Sequence, residues 1–454
     1  MDFNCFKAYD IRGIYPTSFN EEMACAIGRS LAKLVNAKRI VIGGDIRNST
    51  ESIKQSMINS LNAYGIDTID IGLCGSELVY FASAYLDIDA GIMITASHNP
   101  KEYNGLKLVR KNAVPIGIDS GLLDIKDIML NKQLNDSVTV GQSSTSDITD
   151  AYIDQLLSFV NIDKFKPLKV VSNAGNGCAG YFLDQLEDKL PLNFIKLNHE
   201  PDGNFPNDVP NPMLAAQKKQ ISKAILLNKA DLGIAWDGDF DRCFFYDEKG
   251  QFIDGYYIVG LLSEFFLKHS KKTEAIVYDP RVTWNTENII NNYKANPVLS
   301  KSGHSYIKNA IRNNDAIFGG EMSGHYYFRD FYYADTGMVP WLIICEILSQ
   351  DGATLSKLVE EQINLFPSSG EINLNIKNIK NTLSSIENHY KDSPDLQNIY
   401  YLDGVTMEFN DWRFNLRASN TEPLIRLNIE TRNNTSLLAN KKKEITNFIL
   451  AIDA

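Results

Sequence analysis

The chain has 454 residues, 44% hydrophobic and 22% charged, with a formal net charge of −11. That length exceeds one ordinary core and predicts three or four domains of roughly 100–150 residues each. The acidic balance excludes general nucleic-acid affinity, but not an anionic small substrate, because a local cluster of Arg and Lys overrides a distant net charge. Six scattered cysteines without a CxxC pair read as reduced thiols of a cytoplasmic protein. Met1-Asp2-Phe3-Asn4 has no basic stretch followed by a long apolar run, so no signal peptide is expected.

From the N-terminus, Phe6-Lys7-Ala8-Tyr9-Asp10-Ile11-Arg12-Gly13 places Arg12 before a glycine. Met23, Ile27, Leu31 and Leu34 recur at helical spacing, and Arg39 to Ile42 reads as a strand. Ile53, Met57, Leu61 and Tyr64 give a second helix, stopped at Gly65 before a strand from Ile66 to Ile71. This alternation predicts an α/β domain whose ligand loops lie at the carboxyl ends of strands. Gly44-Asp45-Ile46-Arg47 occupies one such end. Another is Thr95-Ala96-Ser97-His98-Asn99-Pro100, after the apolar strand Gly91 to Ile94. Thr, Ser and Asn break the apolar run there and Pro100 stops the ladder, so the Ser97 hydroxyl sits on a loop held by a core strand. Ser97 is the candidate nucleophile or phosphate carrier, with His98 bracing its loop. Lys107 lies on the following strand.

The pattern restarts after the polar stretch Gly141 to Ser146. Asp147 caps a helix to about Val160, and Leu168 to Val171 is a strand ending at Asn173-Ala174-Gly175-Asn176-Gly177. After the apolar Leu232 to Trp236 comes Asp237-Gly238-Asp239-Phe240-Asp241-Arg242. Three carboxylates at alternate positions repel one another unless a cation lies between them, and oxygen-only ligands suit Mg²⁺ or Ca²⁺ better than Zn²⁺. A calcium-binding EF-hand is a poor rival, since its loop needs glycine where Arg242 stands. Gly238 is expected to let the backbone fold tightly around the ion, and Arg242 to hold an anion such as phosphate beside it.

A third start comes near Ile253. Ala275 to Tyr278 is a strand ending in Asp279-Pro280-Arg281, and Lys301-Ser302-Gly303-His304 ends another. Ala316 to Phe318 leads into Gly319-Gly320-Glu321-Met322-Ser323-Gly324-His325, where Glu321 and Ser323 suit recognition of adjacent sugar hydroxyls. Trp341 to Leu348 is short and contains Glu346, so it reads as a buried helix and not a membrane span. Three units of similar plan are thus expected at 1–146, 147–252 and 253–367, followed by a smaller α+β domain at 368–454. In that last domain Trp412 to Leu416 and Leu424 to Ile429 are strands, and a closing helix spans roughly Ser436 to Ala451. Between the strands, Arg417-Ala418-Ser419-Asn420-Thr421-Glu422-Pro423 offers an Arg, hydroxyls, an amide and backbone N–H groups, which suit a phosphate clamp.

In this order, the segments TASHNP, DGDFDR, GEMSGH and RASNTEP resemble the α-D-phosphohexomutase family over nearly the whole chain. The resemblance implies three related α/β domains with mixed sheets plus a C-terminal α+β domain, arranged around a central cleft. It implies that Ser97 carries a phosphate, and that Ser97, Asp237, Asp239 and Asp241 bind one Mg²⁺. Glu321 and Ser323 would contact the sugar, and Arg417, Ser419, Asn420 and Thr421 the substrate's phosphate. Arg12, Lys107, Arg242, His304 and His325 fall on positions lining the family's cleft. Tyr278 to Thr286, Tyr326 to Phe331 and Asp411 to Arg417 are similar to the bacterial phosphomannomutase branch. There are two departures. Gly75-Ser76-Glu77 stands where many relatives have Thr-Pro, and Arg281, counted with the substrate-binding positions, stands where many have Lys.

The implied reaction interconverts mannose 6-phosphate and mannose 1-phosphate through phospho-Ser97 and a hexose 1,6-bisphosphate, which also serves as activator. It would feed GDP-mannose and surface polysaccharide synthesis in the cytoplasm. A base must take the sugar hydroxyl proton, and the residues leave Lys107 and His325 both open. His325 titrates nearer neutrality; Lys107 needs its pKa lowered. Rival readings are a phosphoglucomutase, dual-specificity or amino-sugar mutase, a non-catalytic sugar-phosphate binding protein, and a metal-dependent phosphatase. Intact Ser97 and three Asp residues speak against the non-catalytic one. The expected partner is a phosphorylated hexose, with no nucleic acid or membrane, in a monomer or homodimer.

Overall fold

Residues 3–131, 134–419 and 424–453 are described in the computed structural model. The first unit contains strands β1 (Ile11–Ile14), β2 (Arg39–Gly44), β3 (Asp67–Leu73), β4 (Ala90–Ile94), β5 (Tyr103–Arg110), β6 (Val114–Pro115) and β7 (Ser143–Thr145). Their order is β1-β5-β4-β2-β3-β7, with β6 on β5. β3, β2 and β4 run parallel, and β5 turns back antiparallel to β4. Every residue of β4 is buried, which explains its unbroken apolar run. Helix Glu21–Val35 shows how the flanking layers form. Asn20 caps it by accepting from Met23 N at 3.0 Å, Glu21 and Glu22 lie in its first turn, and Met23, Ile27 and Leu31 turn inward.

The same plan recurs twice. The second unit has β8 (Lys169–Asn173), β9 (Asn193–Leu197), β10 (Leu232–Trp236), β11 (Cys243–Tyr246) and β12 (Phe252–Ile253), in the order β12-β11-β10-β8-β9. The third has β13 (Ala275–Tyr278), β14 (Asn296–Leu299), β15 (Phe318–Gly320), β16 (Tyr326–Phe328) and β17 (Ala334–Asp335), in the order β14-β13-β15-β16-β17. In each, three neighbouring strands are parallel and the next is antiparallel. One connection therefore differs from the rest, where the chain passes from the third parallel strand to its antiparallel neighbour. That link needs no crossover helix and leaves from the carboxyl end of a buried strand. It carries Ser97 between β4 and β5, Asp237 to Arg242 between β10 and β11, and Glu321 to His325 between β15 and β16.

The fourth unit is an all-antiparallel sheet of β18 (Ser368–Asn375), β19 (Leu396–Tyr400), β20 (Val405–Phe409), β21 (Trp412–Ala418) and β22 (Leu424–Thr431), ordered β18-β22-β21-β20-β19. Helices Ile379–Tyr390 and Thr435–Asp453 accompany it. One hydrophobic core runs through all three α/β units, from Val41 and Leu78 through Trp236 and Phe240 to Trp341 and Phe366. The last unit has its own core around Met407, Phe414, Leu427 and Ile445. Hydrogen bonds between buried side chains link it to the third. Glu430 accepts from Tyr256 and Thr283, and Arg413 donates to Pro280 O at 2.9 Å.

Local expectations are revised at four places. The polar stretch at 141–146 contains β7, an exposed edge strand paired with β3. The helix after Asp147 ends at Leu157, short of Val160. Gly319 and Gly320 belong to β15, where a Cβ would crowd Val277 and Val259. Arg417 and Ala418 lie on β21 itself; Asn420 and Thr421 lie outside the described residues. The apolar helix Val339–Asp351 opens with a proline in its first turn and stops at Gly352, with φ +63°. Among the described residues no helix is long and apolar enough to cross a membrane.

β1 carries Arg12 and packs directly on Gly105 of β5, where a Cβ would lie 1.9 Å from Ile11 O. Gly105→Ala should therefore push β1 outward. We expect a loss of about 2 kcal/mol in stability, read as a lower thermal midpoint, together with weaker substrate binding. An unchanged midpoint would show that β1 has room to spare.

Candidate active site

Ser97 takes φ +51°, a left-handed conformation that costs a non-glycine residue of order 1 kcal/mol. Its surroundings hold it there. Thr95 Oγ1 accepts from Ser97 N at 2.8 Å and donates to Asp45 at 2.7 Å. The buried Arg47 guanidinium donates to the carbonyls of Ser97, Asn99, Pro100 and Tyr103 at 2.7–2.9 Å, and pairs with Asp45 at 3.1 Å. The Gly44–Arg47 loop noted at a strand end is thus the scaffold of the Ser97 loop. Arg47 and Asp45 as individual residues were not singled out by sequence; the loop's place was the available signal.

Ser97 Oγ is buried and donates to Asp237 Oδ2 at 2.6 Å, across the boundary between two units. Arg242 donates to Asp237 at 2.9 Å through Nε and to Ser97 Oγ at 3.2 Å through Nη2. His98 Nδ1 touches both Ser97 Oγ and Arg242, the bracing role expected of it. Gly238 also serves a contact that the sequence does not reveal. A Cβ there would meet Ser97 O at 2.6 Å, so the glycine lets the two loops touch.

Ligand oxygens of Asp237, Asp239 and Asp241 lie within 4.8 Å of one another, and all three residues are at most 1% exposed. Burial pushes the Asp237 and Asp241 carboxyls up, and the neighbouring Asp239 charge pushes them further. At Asp239 burial also pushes up, but Lys107 outweighs it and holds the group low. Lys107 donates to Asp239 at 2.6 Å and Asp241 at 2.5 Å. Asp239 Oδ1 and Asp241 Oδ1 are buried without a hydrogen-bond partner. An all-oxygen donor set, mutual repulsion and two free buried oxygens fit a hard divalent cation such as Mg²⁺. Asp241, His325 and Asp335 form a second close group, but the Lys308 ammonium already lies 2.6 Å from Asp335.

The two base candidates lie in different electrostatic surroundings. Burial would lower the Lys107 pKa, but Asp239 and Asp241 hold it well above its ordinary value, so the ammonium keeps its proton. Burial, then Arg242 and His304, press His325 well below the ordinary imidazole value and keep it neutral. His325 lies 3.1 Å from Ser323 Oγ, 3.6 Å from Asp241 and 6.4 Å, ring to ring, from His304. Glu321 accepts from Gly303 N at 2.8 Å and Tyr327 OH at 2.6 Å, and pairs with Arg281 at 3.2 Å.

Arg417, on β21, donates to Glu371 at 2.8 Å. The same carboxylate is reached by Arg281 at 3.5 Å and Arg426 at 3.4 Å. Arg417 and Arg426 face each other across β21 and β22, a like-charge pairing that a sheet tolerates only with a counter-ion. Arg12 pairs with Asp10 and donates to Asn99 Oδ1 at 2.7 Å. A cleft of about 940 Å³ gathers these groups among the described residues. Arg12, Ser97, Lys107, Asp241, Arg242, Arg281, His304, Glu321, Ser323, His325, Arg417 and Ser419 line it, with Asp237 and Asp239 buried beside it. Glu371 and Arg426 were missed, since nothing in their local sequence distinguishes them from surface residues; Ser76 was noted only within a tripeptide that departs from many relatives, with no role of its own.

Models of the phosphoglucomutase/phosphomannomutase family match along the chain: alpha/beta/alpha domain I over residues 4–136, domain II over 150–250, domain III over 254–366 and the C-terminal domain over 371–448. A protein of Xanthomonas campestris pv. campestris described as "Phosphohexose mutases" is 48% identical, covering 99% of this chain and 100% of that one. A phosphomannomutase of Vibrio cholerae serotype O1 is 46% identical, covering 100% of this chain and 99% of its own. In structure, a phosphoglucomutase/phosphomannomutase family protein from Burkholderia thailandensis superposes with a TM-score of 0.87 at 28% identity, covering 99% of this chain and 97% of that one.

Arg47→Lys keeps the charge but cannot span four carbonyls from one planar fork. It should cost about 2–4 kcal/mol in stability and release the Ser97 loop, with turnover down roughly 100-fold; near-normal turnover would remove Arg47 from the scaffold. His98, His304 and His325 are all held well below the ordinary 6.5. Folded, they stay neutral; unfolded, they take up protons. Their contribution is present above pH 6.5 and lost as pH falls below it. The thermal midpoint should therefore drop between about pH 7 and about pH 5, and drop less in His304→Gln, whose ring nitrogens have no hydrogen-bond partner.

Proposed function

The chain belongs to the phosphoglucomutase/phosphomannomutase family and is a phosphohexomutase, and from that premise we propose that it interconverts mannose 6-phosphate and mannose 1-phosphate through a phosphate carried on Ser97. The observation that carries this reading is the buried Ser97 hydroxyl, 2.6 Å from Asp237 and beside a cleft that also holds Arg417. The cationic Arg242 lies at its side, 3.2 Å from Ser97 Oγ.

In the first transfer the free hydroxyl oxygen of a hexose 6-phosphate forms a bond to the phosphorus of phospho-Ser97, and the bond from phosphorus to Ser97 Oγ breaks. The hydroxyl proton passes to His325, which is held neutral and can accept it. Arg242 balances charge on the transferring group and on the departing Ser97 oxygen. Lys107, fixed as an ammonium, adds to that positive field without exchanging the proton. Asp237, Asp239 and Asp241 would hold Mg²⁺, which neutralises phosphoryl charge when bound. The hexose 1,6-bisphosphate then turns end over end, and Ser97 recovers the other phosphate while the histidinium returns its proton. Arg417, Arg281 and Ser419 hold the distant phosphate in both orientations. We place the enzyme in the cytoplasm, supplying mannose 1-phosphate for nucleotide-sugar synthesis, with hexose 1,6-bisphosphate as activator.

Mannose preference is supported by the phosphomannomutase relatives that align with nearly the whole chain. The Xanthomonas relative, named for hexoses in general, favours a second reading in which glucose phosphates are equally good substrates. Phosphorus NMR assays with mannose 1-phosphate and glucose 1-phosphate decide between them. We expect kcat/KM at least roughly tenfold higher for mannose, loss of turnover in chelator and its return with Mg²⁺. Equal values for the two sugars would establish dual specificity, and full turnover in chelator would remove the cation from the account.

A further inference from the structure

The tripeptide Gly75-Ser76-Glu77 takes no part in the chemistry above, yet all of it serves the Asp237–Arg242 loop. It opens the helix Ser76–Tyr85, whose start lies against that loop. A Cβ at Gly75 would meet Asp239 O at 2.5 Å and the Phe240 ring at 2.2 Å, so only glycine permits the approach. Ser76 N then donates to Asp239 O at 3.1 Å. Ser76 Oγ, fully buried, donates to Asp239 Oδ2 at 2.5 Å and accepts from Lys107 Nζ at 2.9 Å. Glu77 accepts from Gly337 N at 2.6 Å and Thr336 Oγ1 at 2.9 Å. Gly337 is itself packed on the loop, since a Cβ there would lie 2.3 Å from Phe240 O. Two consecutive side chains therefore fix the loop from the first unit, one directly and one through the third.

The consequence is an asymmetry at Asp239. Oδ2 receives Ser76 and Lys107, while Oδ1 is buried and receives nothing. A carboxylate free to rotate would let its two oxygens exchange these roles. We propose that Ser76 is a positioning residue for the cation: it keeps Asp239 Oδ2 on the protein and so presents Oδ1 to the metal. This rests on reading the Asp237–Asp241 loop as the Mg²⁺ site. Ser76 also takes one hydrogen bond from Lys107, which limits how far the ammonium can draw Asp239 away from that site.

The test uses Mn²⁺ as the probe on the full-length enzyme, with the free ion followed by electron paramagnetic resonance. Ser76→Ala should raise the Mn²⁺ dissociation constant roughly tenfold, as loss of a hydrogen bond to a charged group implies. Ser76→Cys, similar in size with only a weak donor, should move the same way, and Ser76→Thr should restore wild-type binding. At saturating Mg²⁺ the KM for mannose 1-phosphate should stay unchanged in all three, which a general loosening of the cleft would not allow. Wild-type Mn²⁺ affinity in Ser76→Ala and Ser76→Cys overturns the inference while leaving the metal reading intact. Absence of Mn²⁺ binding in the wild type overturns both.

Discussion

Three carboxylates of one loop are buried within 4.8 Å of one another, and this charge cannot be held by the unit that contains it. Isolated, such a cluster would take up protons or unfold the loop. Only Arg242 belongs to the loop's own unit. Lys107 and the Ser76 and Ser97 hydroxyls come from the first. The loop therefore settles into its geometry only when the first two units are docked. Docking in turn sets the Ser97 oxygen against Asp237. The same contacts that compensate the charge also assemble the chemistry.

The repeated sheet plan makes this docking economical. In each α/β unit the link from the third parallel strand to its antiparallel neighbour leaves from the same end of a buried strand. Each unit thus contributes one chemically distinct loop to the cleft. A continuous hydrophobic core through all three units resists relative motion and holds those loops in register. The fourth unit has a separate core and meets the third through Arg413, Glu430, Tyr256 and Thr283. A junction made through such hydrogen bonds is of the kind that permits relative motion of domains.

Much of the strand and helix pattern was legible, because buried parallel strands such as Ala90–Ile94 and Leu232–Trp236 are written as unbroken apolar runs ended by polar loops. Edge strand β7 was not, since all three of its residues are exposed and carry no apolar signal. Ser97, Asp237, Asp239 and Asp241 stand out locally for their chemistry and spacing. Arg47 is no less necessary to the Ser97 loop, but the four carbonyls it reaches lie 50 to 56 residues further along the chain. No local pattern around Arg47 marks that reach. Ser76 and Glu371 act on charges brought from other strands, so their meaning exists only in three dimensions. The surroundings of Lys107 and His325 are likewise invisible in the sequence, since Lys107 meets Asp239 and Asp241 while His325 lies among Asp241, Glu321 and Ser323.

In the proposed cycle the Ser97 hydroxyl, set against Asp237, carries the phosphate between the two ends of the sugar. Intact-mass measurement before and after incubation with a hexose 1,6-bisphosphate, followed by peptide mapping, tests it most directly. The expected result is one phosphate per chain, located on Ser97, removed by excess hexose monophosphate and absent from Ser97→Ala. A turning-over enzyme that never gains mass, or a phosphate found on another residue, would contradict it.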